Sequence, residues 1–380
     1  MSSLSLFRSG AALAALLVAA APAVRAQGAV SNQGFGYPNG QLSPVALAAG
    51  GSSAEVDPAS PINPASIAHA GRYVVMFQFE PEFRTTKVDG TTSANMVMRF
   101  PTFAATGRVG PLTVGASVST FLDRTWVNSY TDSLFVAGEW HPSTALIGVD
   151  GAISDTRLAV AYAVHPRLRL GVGLHAFTGE NQTQFQRIFT DSAGLGGLAQ
   201  TARMTFSGRA LSGGVVYLPR DGVALAASFR SGGDLTSELN GVHNATAQVP
   251  ARWGLGGSWL VVPGATLNAR VDQTRWTDLD GLGTSNVFTF DATEIGVGAD
   301  VVGPRVAGVP MMLRVGLRDR TLPFGVNGDR VPERSFSFGA GLPVARGRAQ
   351  LDVALQRAVR EVGVTTERSW FLSVGIGIRP

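Results

Sequence analysis

From residue 71 to the end of the chain, apolar and polar residues alternate with a period of two in one short run after another. In Thr266-Leu267-Asn268-Ala269-Arg270-Val271-Asp272, the residues Leu267, Ala269 and Val271 share one face, and Asn268, Arg270 and Asp272 share the other. Alternation of this kind marks a strand with one apolar and one polar face. The pattern predicts 14 strands: Tyr73–Arg84, Ala94–Thr106, Leu112–Leu122, Thr156–Val164, Leu168–Gln186, Thr201–Tyr217, Val223–Arg230, Ala251–Val261, Thr266–Trp276, Phe290–Val302, Met311–Arg320, Ser335–Leu342, Arg348–Val359 and Arg368–Ile378. Tight Pro/Gly turns such as His165-Pro166 and Pro263-Gly264 join them in pairs. Longer polar loops, chiefly Asp123 to Ile153, lead from pair to pair.

Residues 27–70 break the rhythm. They are rich in Ala, Gly, Ser and Pro, with one short helix expected within Ser43–Glu55 and turn signals at Asp57-Pro58 and Ile62-Asn63-Pro64. Residues 1–26 carry Arg8, an apolar stretch from Ala11 to Ala21, and Val24-Arg25-Ala26, the layout of a secretory signal peptide. That apolar stretch is shorter than the roughly 20 residues a membrane helix needs. An exported chain of alternating strands with charges on one face suits a membrane barrel, with lipid outside and a wet lumen inside. Fourteen is an even number, and short turns on one side with long loops on the other is the asymmetry of bacterial outer-membrane barrels.

The strands then acquire an orientation. Leu313, Val315 and Leu317 oppose Arg314 and Arg318; Leu351, Val353 and Leu355 oppose Gln350, Asp352 and Gln356; Leu168, Leu170, Val172 and Leu174 oppose Arg169 and His175. An arginine facing mid-bilayer lipid costs about 2–4 kcal/mol, so the arginines are expected in the lumen, paired with Asp272, Asp300 and Asp352. Trp140, Trp253, Trp259, Trp276, Trp370 and Tyr217 are expected in the girdle at headgroup level.

Composition narrows the chemistry. Without cysteine the chain has no disulfide and no thiolate metal site. A formal charge of +4 over 380 residues gives no sign of nucleic-acid binding. The 47 glycines suit a wall that bends and packs closely. The histidines His69, His141, His165, His175 and His243 have no metal-ligand spacing, and no nucleophile elbow or phosphate loop occurs. No enzyme and no cofactor are expected. A lumenal His175 beside an acid is the one group such chemistry would need, and a lone strand histidine is more often structural.

The segment Ala48-Ala49-Gly50-Gly51-Ser52-Ser53-Ala54-Glu55-Val56-Asp57 followed by Ile62-Asn63-Pro64-Ala65-Ser66-Ile67-Ala68 resembles the N-terminal hatch of the FadL/TodX family, with Asn63, Pro64 and Ala65 matching its Asn-Pro-Ala motif. Val249 to Gly256, running on to Asp272 and Arg275-Trp276-Thr277, is similar to a hairpin of that family. So is Leu313 to Arg318 with Pro323-Phe324 and Ser337-Phe338-Gly339-Ala340-Gly341. The resemblance implies a 14-stranded antiparallel transmembrane β-barrel (71–380) plugged by a small hatch (27–70) in the bacterial outer membrane. It further implies passive uptake of hydrophobic compounds, such as long-chain fatty acids or aromatic hydrocarbons, past the lipopolysaccharide surface. In the family the ligand shifts the hatch and leaves sideways through a gap in the wall. Candidate ligand contacts are Ile62 and Ile67, with Arg252 or Arg314 for a carboxylate. A monomer is expected.

The chain departs from the usual barrel ending by closing on Ile378-Arg379-Pro380, so the barrel-assembly machinery must tolerate this or read Trp370 and Phe371. The alternative from another class is a non-transporting barrel that presents loops, Asp123–Ile153 above all, to a secretion or envelope partner.

Overall fold

The computed structural model describes residues 30–31, 33–70, 73–136, 138–189, 197–282, 287–306 and 308–378. The expected signal peptide lies outside them. Fourteen antiparallel strands close into one barrel. We number them β1 (Tyr73–Val88), β2 (Thr91–Arg99 and Thr102–Val109), β3 (Leu112–Asp123 and Trp126–Val136), β4 (Glu139–His165), β5 (Leu168–Phe189), β6 (Leu198–Arg220), β7 (Val223–Arg230 and Asp234–Leu239), β8 (Val242–Gln248 and Arg252–Val262), β9 (Ala265–Thr274), β10 (Ala292–Val306), β11 (Val309–Thr321), β12 (Pro332–Val344), β13 (Ala349–Val362) and β14 (Thr365–Ile378). Each strand pairs with the next, and β14 returns to β1 with Ile378 opposite Val75 and Thr365 opposite Val88. The end where β1 begins and β14 finishes is called proximal here, and the other end distal.

Four strands are interrupted, two of them where a proline withholds a ladder bond. Pro101 in β2 and Pro250 in β8 carry no backbone N–H. Ser231-Gly232-Gly233 divides β7. In β3 the turn at Arg124-Thr125 is held by Asp123 Oδ1 accepting from the Thr125 N–H at 3.0 Å.

The alternation sorts side chains as the charge argument requires. On β11, Leu317 is 56% exposed on the outside while Arg318 is 4% exposed within. Trp140, Trp253, Trp259, Trp370 and Tyr217 also face outward. Trp276 does not. It opens the 3₁₀ turn Trp276–Leu279 after β9, which folds into the lumen and stacks the indole on Phe121 at 5.3 Å.

Two stretches expected as loops are strand. Asp123–Ile153 forms the distal half of β3 and much of β4, paired from Trp126–Val149 to Val136–Glu139. Residues between Arg230 and Ala251 form the distal halves of β7 and β8. Distal connections such as Asp89-Gly90, Asn240-Gly241 and Gly363-Val364 are therefore tight turns, and the expected sorting of long loops to one end is only partial. The wall, not a loop, occupies the surface that a docking partner was expected to use.

Residues 30–70 run through the lumen. Their regular structure is a five-residue helix α1 (Pro44–Ala48) and a 3₁₀ helix, Pro64–His69. Alanines and serines have little side chain, so the segment meets the wall backbone to backbone where the wall carries glycine. A Cβ on Gly316 would lie 2.1 Å from the Ala49 carbonyl carbon, and one on Gly171 would lie 2.4 Å from the Ala65 nitrogen.

The lipid face is testable at the middle of β11. Val315→Arg is expected to lower unfolding stability in lipid vesicles by about 2–4 kcal/mol, whereas Val315→Leu leaves it nearly unchanged; tryptophan-monitored urea titration reads both.

Candidate functional site

Three levels of contact place residues 30–70 in the lumen. At the distal level stands Tyr37. Its hydroxyl donates to Glu333 Oε2 at 2.9 Å and accepts from Arg320 Nη2 at 2.5 Å, while Arg360, Arg320 and Arg99 lie 4.6, 5.0 and 5.5 Å from its ring centre. Burial pushes the phenol above its usual value, so it stays protonated and can donate. Around it Glu82 pairs with Arg84 at 2.8 Å and with Arg99 and Arg360, and Arg360 also pairs with Glu333 at 2.6 Å.

Glu55 holds the middle level. Burial alone would raise its carboxyl, but Arg252 at 2.6 Å and Arg270 at 3.7 Å outweigh that and hold it below the usual range. Arg252 also binds Asp272 at 2.9 Å, and Arg270 binds Asp272 at 3.0 Å and Glu294 at 2.7 Å. Arg314 pairs with Asp352 at 2.9 Å and Asp300 at 3.5 Å nearer the proximal end. Asp272, Asp300 and Asp352 thus take lumen arginines as expected, whereas Arg318 pairs with Glu294 and Arg169 meets His69.

Asn63 holds the third level. Its Oδ1 accepts from the Ala65 N–H at 2.9 Å and opens the 3₁₀ helix, with Pro64 in the first position, where no N–H is required. Its Nδ2 donates to the carbonyls of Glu55 (3.0 Å), Val215 (3.2 Å) and Ala227 (3.4 Å), tying the segment to β6 and β7. At the end of that helix His69 contacts Arg169, and burial together with this guanidinium pushes the imidazole down to about 4, so it is neutral at pH 7.

Between segment and wall lie separate cavities. A distal one of about 60 Å³ is bordered by Pro38, Gln41 and Ile62 from the segment and by Arg230, Arg252, Arg270 and Arg320 from the wall. Phe121 and Trp276 border it as well, and they belong to an apolar cluster with Phe35, Phe177, Phe206, Leu279 and Phe324. A proximal cavity of about 300 Å³ is lined by Val45, Ala59, Val74, Met76 and Met312, with Asp57, His69, Thr106, Arg314, Gln350 and Asp352 as its polar side chains. The four candidate contacts do not converge. Ile62 and Arg252 border the distal cavity, Arg314 borders the proximal one, and Ile67 packs against Ala159 and Ala161 beside a small third cavity.

The seam between β2 and β3 is open in its distal half. The distal half of β2, Thr91–Arg99, pairs with β1 alone, and the distal half of β3, Trp126–Val136, pairs with β4 alone. The β2–β3 ladder stops at Thr102–Ser119, followed by a last bond from the Thr120 N–H to the Pro101 carbonyl at 2.9 Å. At the foot of this gap Tyr37 makes two backbone hydrogen bonds with Asp123, of 2.7 and 2.9 Å, so residues of the N-terminal segment cap the free edge. Arg99 on one bank is ion-paired with Asp123 on the other. Gly36 is required here: its φ is +120°, and a Cβ would lie 2.6 Å from the Asp123 carbonyl oxygen. The sequence signal for the gap is Phe100-Pro101, a proline in the middle of an apolar alternation.

His175 is not alone. Its Nδ1 lies 2.8 Å from Asp155 Oδ1 and its Nε2 lies 2.8 Å from Ser212 Oγ, across β4, β5 and β6. This is the order of groups that nucleophilic catalysis uses. None of the three internal cavities described above is lined by Ser212 or His175, and Gln41 donates to Asp155 Oδ2 at 3.0 Å. The trio braces three strands.

No protein-family model and no curated protein matches the chain. Solved structures do match its fold. A FadL homologue of Pseudomonas aeruginosa aligns over 90% of this chain and 99% of its own with a TM-score of 0.63 at 13% identity. The toluene transporter TbuX of Ralstonia pickettii aligns over 89% and 98% with a TM-score of 0.58 at 15% identity. The toluene transporter TodX of Pseudomonas putida aligns over 92% and 98% with a TM-score of 0.55 at 13% identity. The barrel is of the FadL/TodX fold.

Asn63 and Gly214 form a testable pair, because a Cβ on Gly214 would lie 1.9 Å from Asn63 Oδ1. Asn63→Ala and Gly214→Ala are each expected to raise protease cleavage within residues 30–70 of the folded protein several-fold. The outward-facing Leu211→Ala should leave cleavage unchanged.

Proposed function

We propose that the chain is a passive channel for hydrophobic compounds in the bacterial outer membrane, with residues 27–70 as its hatch and 71–380 as its barrel. The observation that carries this reading is the wall gap between β2 and β3, capped by Tyr37 beside the arginine-lined cavity. A sealed structural barrel has no use for an unpaired edge in its wall, and unpaired strand edges facing lipid are costly. Here the cost is offset by a segment that can move.

The sequence of events follows from the layout, with the distal end taken as extracellular. An apolar compound first meets the aromatic cluster of Phe35, Trp276 and Phe324. Below it lie Ile62 and Arg252, where a carboxylate head, if the compound has one, meets guanidinium groups already balanced by Glu55 and Asp272. Competition for those arginines weakens the hold on the hatch. Withdrawal of Tyr37 from Asp123 then frees the gap, and the compound passes sideways into the membrane rather than through an aqueous pore. Arg314 and the proximal cavity serve the periplasmic side of the hatch.

Long-chain fatty acids and aromatic hydrocarbons are the substrate classes this reading names; the toluene transporters among the structural neighbours support it. Residues 1–26 would direct export, and the barrel-assembly machinery would insert the chain as a monomer among lipopolysaccharide. No cofactor or nucleic acid takes part.

Uptake of radiolabelled oleate and toluene by intact cells tests the proposal. Expression in a strain lacking the protein should raise uptake of at least one compound several-fold, and Tyr37→Ala should raise it further. Rates equal to those of the deletion strain for both compounds would remove the transport reading.

A further inference from the structure

Arg157, on β4, is 4% exposed, yet its Nε and Nη1 have no hydrogen-bond partner among the described residues, and no carboxylate lies within ion-pair distance of it. Ser117 of β3, its ladder neighbour, and Thr106 of β2 have buried hydroxyls that are likewise unpartnered. All three side chains line one small cavity on the inner wall. Four polar atoms that each lack a partner thus belong to side chains bordering this space, Thr106 bordering the proximal cavity as well.

That space lies at a seam. Pro58, Ala59, Pro61 and Ile67 of the N-terminal segment cover it, and none of these side chains carries a hydrogen-bonding group. The volume is about 10 Å³, room for the centre of one water-sized particle; a halide, somewhat larger in radius, is accommodated by a small shift of the flexible Arg157 side chain. A carboxylate with its hydrocarbon tail does not fit.

The charges nearby are out of balance. Asp155, two residues along β4, is engaged by His175 and Gln41, and its remaining cationic neighbour is Arg230 at 3.7 Å. Arg157 lies outside this arrangement, beyond ion-pair distance of the one carboxylate near it. On the covering segment, Asp57 already accepts from Ser43 at 2.5 Å, Ser60 at 2.7 Å and the Ala59 N–H at 3.1 Å. A buried cation with free N–H groups calls for an anion more than for a neutral water.

We infer that the cavity bounded by Arg157, Ser117 and Thr106 is a binding site for a monatomic anion, chloride under ordinary conditions, held by two guanidinium N–H groups and two hydroxyls. The ion neutralises Arg157 and fixes the seam between residues 58–67 and strands β2–β4. This site is separate from the distal cavity and does not depend on what the channel carries.

The purified full barrel in detergent, equilibrated with bromide in place of chloride, tests the inference by anomalous diffraction at the bromine edge. A peak is expected within hydrogen-bonding distance of Arg157 Nε and Nη1. In solution, the thermal midpoint should rise with chloride when gluconate keeps ionic strength constant. That dependence should vanish in Arg157→Gln and weaken in the milder double change Ser117→Ala with Thr106→Val, which retains the guanidinium should the first variant fail to fold. Absence of a bromine peak at this position, with an ordered water there instead, or a wild-type midpoint indifferent to chloride would overturn it.

Discussion

Guanidinium groups are costly against acyl chains, and most of the lumen follows from that cost. Most strand arginines turn inward, while Arg209, Arg334, Arg357 and Arg368 lie exposed on the outer face, and each arginine brought inward must find a carboxylate or leave a buried charge uncompensated. The lumen therefore fills with a lattice: Arg84, Arg99 and Arg360 around Glu82; Arg252 and Arg270 around Asp272; Arg314 between Asp300 and Asp352. A lattice of this kind adds little net stability over a well-packed apolar core, but losing one member of a buried pair typically costs about 3–5 kcal/mol. It specifies what can sit in the lumen more than it strengthens the wall.

The N-terminal segment meets that specification with very few side chains. Tyr37 enters the lattice at the distal level and Glu55 at the middle, while Asn63 supplies a neutral anchor further along. Between these points Ala49, Gly50 and Ala65 lie directly on wall glycines, a fit by shape. The segment also buries Phe35, Leu42, Leu47, Ile62 and Ile67, so its docking rests on apolar burial as well as on these polar anchors. The capped gap between β2 and β3 lies where undocking has a consequence, because the residues that would leave are the ones bonded to Asp123.

Legibility in the sequence tracked chemical contrast. Leu313 to Arg318 reads clearly because leucine and arginine differ so much in transfer energy, and the strand count and inward arginines follow from such runs. The distal halves of β3, β7 and β8 were illegible because Ser129, Thr131 and Ser133 alternate with residues at least as polar, Asn128 and Asp132, and Val242 and His243 are both exposed. A stretch with polar residues on both faces shows no alternation. Asn63-Pro64 was visible as a motif, although its three carbonyl partners come from distant parts of the chain. The inner row of glycines was countable, but its fit to the segment needed both surfaces. Trp276 was misplaced because a strand-end tryptophan looks the same whether its loop bends outward or in. The gap is an absence of pairing, which leaves no mark in a sequence beyond Pro101.

The claim underlying all of this is that residues 30–70 occlude the lumen, held there by polar anchors and buried apolar side chains together. Single-channel conductance in planar bilayers addresses it directly, comparing the mature chain with one from which residues 30–70 are removed. The account predicts almost no steady conductance for the first and large, stable openings for the second. Equal conductance in the two, whether high or low, would contradict it.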